Sequence, residues 1–148
     1  PIHKMQGPDG NLWAVAAIGY GEAHAAIMAG KLESEDLPET SGLAAFSTKP
    51  NLLFAVNDSG NPAGIDALTL DGKEAGHWPI DYPYTHDFED LAAFTLDGKP
   101  YLLVADTGDN LHWRPRLNIL VFDAPETVTK GRSLKLAWQF SFNLINKI

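Results

Sequence analysis

Residues Asp87–Asn110 read DFEDLAAFTLDGKPYLLVADTGDN, and a version of this stretch stands 48 positions earlier in the same chain. In gapless register Leu43-Ala44-Ala45-Phe46 falls on Leu91-Ala92-Ala93-Phe94, and Val56, Asp58 and Gly60 fall on Val104, Asp106 and Gly108. Seven of the 19 positions from 43 to 61 are identical, where background composition gives roughly one. A repeat at this spacing outranks any single strand assignment. Each copy is one supersecondary unit that buries its apolar faces only against its neighbours.

Working outward, the first copy predicts strands at Ser41–Ser47, Leu52–Val56, Ile65–Leu70 and Ala75–Ile80. The turns between them are Thr48–Asn51, Asn57–Pro62 and Asp71-Gly72, the last a strong hairpin signal. Leu52–Val56 is apolar throughout, as expected of a strand covered on both faces. The second copy predicts strands at Leu91–Thr95, Tyr101–Ala105 and Asn118–Asp123, with a fourth near Ser133–Ala137 and an insertion at Leu111–Arg116. Trp138, Phe140, Phe142 and Leu144 then alternate at period two, a half-buried strand pattern read as the opening of a further unit.

Four short strands per unit of about 48 residues, with Gly/Asp turns, define the blades of a β-propeller. A β-sandwich also strings short strands at such spacing, but it does not need its loops to repeat, and here the loops repeat better than the strands. The expected fold is therefore all-β: β-propeller blades of four antiparallel strands, about two clear and the rest partial. The units are an N-terminal segment 1–38, blades 39–86 and 87–137, and a segment 138–148 that starts another blade. Closed propellers need four or more blades, and 148 residues hold about three. The expectation is thus an incomplete propeller: a piece of a longer chain, or one completed by another copy through its exposed blade edges.

The N-terminal segment is less regular. Leu12–Tyr20 reads as a buried strand, and Pro8–Asn11 as a turn. Residues 22–29 fit a short Ala-rich helix, while 25–32 fit the outer strand of a blade equally well. A degraded signal peptide is opposed by Asp9 and by the short apolar run Leu12–Ile18.

Composition narrows the function classes. There is no Cys, so thiolate and disulfide chemistry are excluded. Nineteen acidic against 11 basic residues give a net charge of −8 with no basic patch, which disfavours nucleic acid and suits divalent cations. The longest weakly polar run, Leu12–Gly30, is interrupted by Glu22 and His24, so no membrane-spanning helix is expected.

Glu39-Thr40-Ser41-Gly42-Leu43-Ala44 with Asn57-Asp58-Ser59-Gly60, followed by Asp87-Phe88-Glu89-Asp90-Leu91-Ala92 with Asp106-Thr107-Gly108-Asp109-Asn110 and Arg116, resembles a family of largely uncharacterised exported bacterial β-propeller proteins. That family carries successive E-x-SGLA…NDSG and D-x-EDLA…GD-x-GDN…R blades and is similar in outline to phytase-like and esterase-like propellers. The resemblance covers residues 39 to about 123. It departs at Ala105, where the family has Gly, and after Phe142, where a further blade would follow. It implies a propeller fold and a periplasmic or secreted setting, and little chemistry.

The carboxylates are the chief site candidates: Glu39, Asp58, Asp87, Glu89, Asp106 and Asp109, with Asn110. In a propeller the first strand of each blade lines the central channel, so Glu39 and the Asp87/Glu89 pair are expected to converge at its mouth. Several hard oxygen ligands from different segments are what Ca²⁺ requires. The same Asp and Asn residues also make turns by bonding their own backbone, which accounts for the NDSG and DTGDN loops without a metal. His86 beside Asp87 offers an acid/base or ligand group. No HExxH spacing points to zinc, and neither Ser41 nor Ser59 sits in G-x-S-x-G. Arg116, with Arg114, is suited to clamping an anion or to pairing with Asp106 or Asp109 across the loop; the ion pair of Arg116 is the expectation adopted. Trp13, Trp78, Trp113, Trp138, Tyr82 and Tyr84 either stack on a sugar or peptide or, as large aromatics more often do, fill the space between blades.

The sequence therefore predicts a binding protein for a small-molecule, peptide or sugar ligand, with a Ca²⁺ site at the channel mouth. Two alternatives remain: a metal-dependent hydrolase of phosphate or carboxylic esters, and a metal-free interaction platform.

Overall fold

The computed structural model describes residues 2–6, 11–16, 27–82, 86–128 and 132–143, and among them every regular element is a β-strand. Three antiparallel sheets follow one another along the chain. The first contains β1 (Ile2–Gln6), β2 (Asn11–Ala16) and β3 (Ile27–Lys31). The second contains β4 (Thr40–Ala44), β5 (Leu52–Asn57), β6 (Gly64–Thr69) and β7 (Glu74–Pro79). The third contains β8 (Phe88–Leu96), β9 (Lys99–Asp106), β10 (Leu117–Asp123) and β11 (Leu136–Phe142). In each sheet consecutive strands are hydrogen-bonded neighbours, so the two complete sheets are four-stranded meanders, the blades expected from the repeat.

The two blades stack face to face on one core. Phe46, Phe54, Val56, Ile65 and Trp78 of the first meet Phe88, Leu91, Leu102, Val104, Leu120 and Phe122 of the second. Each fully buried large side chain contributes about 1.5–3 kcal/mol. The closest approach is between the leading strands. A Cβ on Gly42 of β4 would fall 2.5 Å from the Leu91 nitrogen and 2.7 Å from the Asp90 carbonyl carbon of β8, so only glycine lets the two backbones pass. The other face of the first blade is covered as well. Leu37, in the connector after β3, is buried with Leu53, Ala55 and Leu68, and the Glu33 N–H donates to the Gly72 carbonyl at 3.2 Å.

The outer face of the second blade is apolar and open. Register places Trp138, Phe140 and Phe142 beside Val121, Ile119 and Leu117, and Ala105 and Leu103 beside Ile119 and Val121. Tyr101 stacks on Phe94 at 5.5 Å and meets Trp138 at 4.8 Å. Phe140 is nevertheless 56% exposed and Phe142 41%.

Two expectations change and one open alternative is decided. The fourth strand of the second blade is Leu136–Phe142, not Ser133–Ala137. Its Trp138–Phe142 alternation pairs with β10 and so belongs to this blade rather than opening another. Of the two readings for residues 22–32, the strand is found, as β3 at Ile27–Lys31; residues 17–26 lie outside the described set. The two copies also differ in hairpin register. Leu43 pairs with Ala55, but Leu91 pairs with Val104, one residue beyond the 48-residue shift. The β8–β9 hairpin turns in two residues, Asp97 (φ 50°) and Gly98 (φ 78°), whose paired positive φ values match the type I′ geometry that suits sheet twist. The β4–β5 link turns more widely, closed by the Lys49 N–H on the Phe46 carbonyl and the Leu52 N–H on the Lys49 carbonyl.

Candidate metal centre and adjoining cleft

The one-residue offset decides which side chains are equivalent. The Asn57 Oδ1 accepts from the Glu39 N–H at 3.4 Å, and the Asp106 Oδ1 accepts from the Asp87 N–H at 2.9 Å. Asp106 therefore stands where Asn57 stands in the first blade, and not where gapless alignment puts Asp58. Each tethers the chain segment entering its blade to the end of the second strand.

Asp106 is fully buried and is a structural hub rather than a ligand. Its Oδ2 accepts from Arg114 Nη2 at 2.6 Å, from the Tyr82 hydroxyl at 2.9 Å and from Asn118 Nδ2 at 3.1 Å. Against the burial that alone would raise it, these bonds and the Asp87 N–H hold the carboxyl below the ordinary aspartate value. The ion pair expected for Arg116 is thus made by Arg114, whose Nη1 also donates to the Gly108 carbonyl at 2.9 Å. Leu117 begins β10, so Arg116 sits at the strand entrance, exposed and, among the described residues, paired with no carboxylate.

Three of the candidate carboxylates do come together. Asp58 in the β5–β6 loop, Asp87 just before β8 and Glu89 within it each present an oxygen, all within 4.8 Å of one another, an arrangement suited to a metal ion. Packing of β4 against β8 brings the loop of one blade to the leading strand of the next. Asp87 lies over Gly108, where any Cβ would collide with its carboxylate, and the Gly108 N–H donates to the Asp87 carbonyl at 3.1 Å. Its Oδ1 is buried with no hydrogen-bond partner among the described residues. Burial, the hydrogen-bonded Asp58 carboxyl and the charge of Glu89 push Asp87 up to about 6, with Arg114 opposing.

The other candidates lie apart from this group. Glu39 is exposed and accepts from Asn61 Nδ2 at 3.0 Å. The Asp109 Oδ1 accepts from the backbone N–H groups of Trp113 (2.7 Å) and Arg114 (2.9 Å), which is loop-closing turn chemistry. His86 packs on the Phe88 ring at 4.5 Å. Asn110 is exposed. His86, Asn110 and Arg116 line a cleft of about 880 Å³ together with Asp87, Leu111 and Trp113. Of the aromatics, Trp78 fills the interblade core, Trp138 lies on the outer face, and Trp113 is 78% exposed at the cleft. The side chain of Trp13 and all of Tyr84 lie outside the described set.

Sequence reasoning missed the hub of Tyr82, Arg114 and Asn118 and the seat that Gly108 provides for Asp87. The signal present was the gap-free DTGDN string, in which a glycine between two aspartates leaves room for a carboxylate. No helix among the described residues is long and apolar enough to cross a membrane. No family model and no curated protein matches the chain.

Proposed function

We propose that this is an exported binding propeller of the kind its E-x-SGLA…NDSG and D-x-EDLA…GDN repeats resemble, with a Ca²⁺ ion held by Asp58, Asp87 and Glu89. The observation that carries the metal reading is the convergence of three carboxylates on one point from two blades. Uncompensated, they repel, and Asp87 is raised by burial first and then by Asp58 and Glu89 beside it. A divalent cation relieves the repulsion, and an all-oxygen set with water completing six to eight ligands suits Ca²⁺ better than zinc. Ester hydrolysis with the same metal ranks second: His86 lines the cleft with Asp87, but among the described residues its Nε2 has no hydrogen-bond partner that would orient it as a base.

The test is a thermal melt in excess Ca²⁺ against excess chelator. Saturation at a hundred times the dissociation constant adds about 2.7 kcal/mol, roughly 9 °C for a chain of this size. Gly108→Ala, which displaces the Asp87 carboxylate, should remove most of that shift while leaving the melt in chelator nearly unchanged. An equal shift in both proteins sinks the assignment.

A second reading concerns partners. The open apolar face carrying Phe140 and Phe142 favours self-association through the edge and face of the second blade. Sedimentation equilibrium of wild type against Phe140→Glu checks it: dimer in the first and monomer in the second is the expected result.

A further inference from the structure

The cleft beside the carboxylates holds more than a metal would use. Its volume of about 880 Å³ lies in the range of small-ligand pockets. Three features of its lining bear on what it takes. Trp113 presents its ring at 78% exposure on the β9–β10 loop, a costly placement for the largest apolar side chain unless something covers it. Arg116 lines the same wall with no carboxylate partner among the described residues, whereas its neighbour Arg114 is committed to Asp106. Asn110 and Asn143, both exposed, add amide groups that donate and accept side by side, as adjacent hydroxyls on a ring require. The lining also holds Arg114, which is tied to Asp106, and the carboxylates Asp87 and Asp109, the latter accepting from the Trp113 and Arg114 N–H groups, so Arg116 is the guanidinium left to face a ligand.

We propose that this cleft binds a sugar carrying an oxyanion, with the ring face on Trp113, the hydroxyls on Asn110 and Asn143, and the oxyanion held by the Arg116 fork. Guanidinium engages carboxylate and phosphate oxygens in pairs, so the charge must sit on the sugar as a planar or tetrahedral oxyanion. The proposal deepens the binding-protein reading and rests on it, but it does not require the metal.

The experiment is titration calorimetry of the full chain with glucuronate, glucose 6-phosphate and glucose, each in Ca²⁺ and in chelator. At least one charged sugar should bind ten-fold or more tightly than glucose, and the tighter of the two identifies carboxylate or phosphate as the source. Arg116→Gln should bring the charged sugar down to the level of glucose, and Trp113→Ala should weaken it at least ten-fold. Both positions are exposed, so an unchanged urea midpoint verifies that the variants fold. Equal affinity for glucose and the charged sugars, no heat with any of them, or full binding by Arg116→Gln overturns the proposal. Sugar binding that persists without any Ca²⁺ shift in the melt defeats the metal assignment alone. A Ca²⁺ shift without sugar binding defeats this proposal alone.

Discussion

Replacing Asp106 by Asn tests whether the second blade is held by a buried charge. The side chain is 0% exposed and receives four hydrogen bonds, one of them charge-assisted from Arg114, whose own side chain is only 19% exposed. Asn keeps the volume and can still accept from the Asp87 N–H. It places an NH₂ where Oδ2 faced Arg114, Tyr82 and Asn118, so at least the Arg114 and Asn118 bonds become donor against donor. Losing two net hydrogen bonds costs about 1 kcal/mol each, and a half-buried guanidinium without its counter-charge brings the total to roughly 3–5 kcal/mol. That is a large part of the 5–15 kcal/mol typical of a domain. Urea unfolding at pH 7 and at pH 3 measures it. The Asp106 carboxyl titrates below its ordinary value, so its contribution is complete above about pH 4 and is lost as pH falls through the lowered folded value. The gap between wild type and Asp106→Asn should therefore narrow at pH 3. A loss below about 1 kcal/mol at pH 7, or one that does not change with pH, would refute the buried-pair account.

Two further outcomes follow from the same geometry. Asp87 has the opposite sign: its folded value of about 6 lies above the unfolded one, so in chelator wild-type stability should fall as pH rises from about 4 to 6. Asp87→Asn should flatten that window and be more stable at pH 7, by about 1 kcal/mol once solvent screening of a partly exposed carboxyl is allowed for, as urea midpoints across the window will show. Gly42→Ala forces a methyl into the β8 backbone and should cost roughly 2–3 kcal/mol in urea, more than an ordinary glycine replacement in a strand; a neutral or stabilising result would mean that the blades do not approach at this point.

Much of the architecture was legible because it depends on local pattern. The apolar run Leu52–Val56 and the turn Asp71-Gly72 mark strand and reversal by residue type alone, and repetition showed that both belong to one unit used twice. The carboxylates were candidates for the same reason: Asp87 and Glu89 stand at the head of a leading strand and Asp58 in a repeated polar loop. Which carboxylate does what was not legible. Gapless identity set Asp58 on Asp106, yet one gathers with Asp87 and Glu89 while the other is sealed among Arg114, Tyr82 and Asn118.

The physical reason lies in the turns. Alignment counts residues, but the tight Asp97-Gly98 hairpin brings β9 back on β8 one position later than the wider link brings β5 back on β4. The slip exchanges the faces of the leading strands, so that Leu43 packs on the outer cluster and Leu91 in the interblade core, while Val56 and Val104 keep the same face. Sequence alone thus determined a twice-repeated four-stranded unit and the acidic residues at its loops. Tertiary structure alone decided which of those residues are buried as supports and which meet across the blades, because both outcomes depend on strand register and on the contact of β4 with β8.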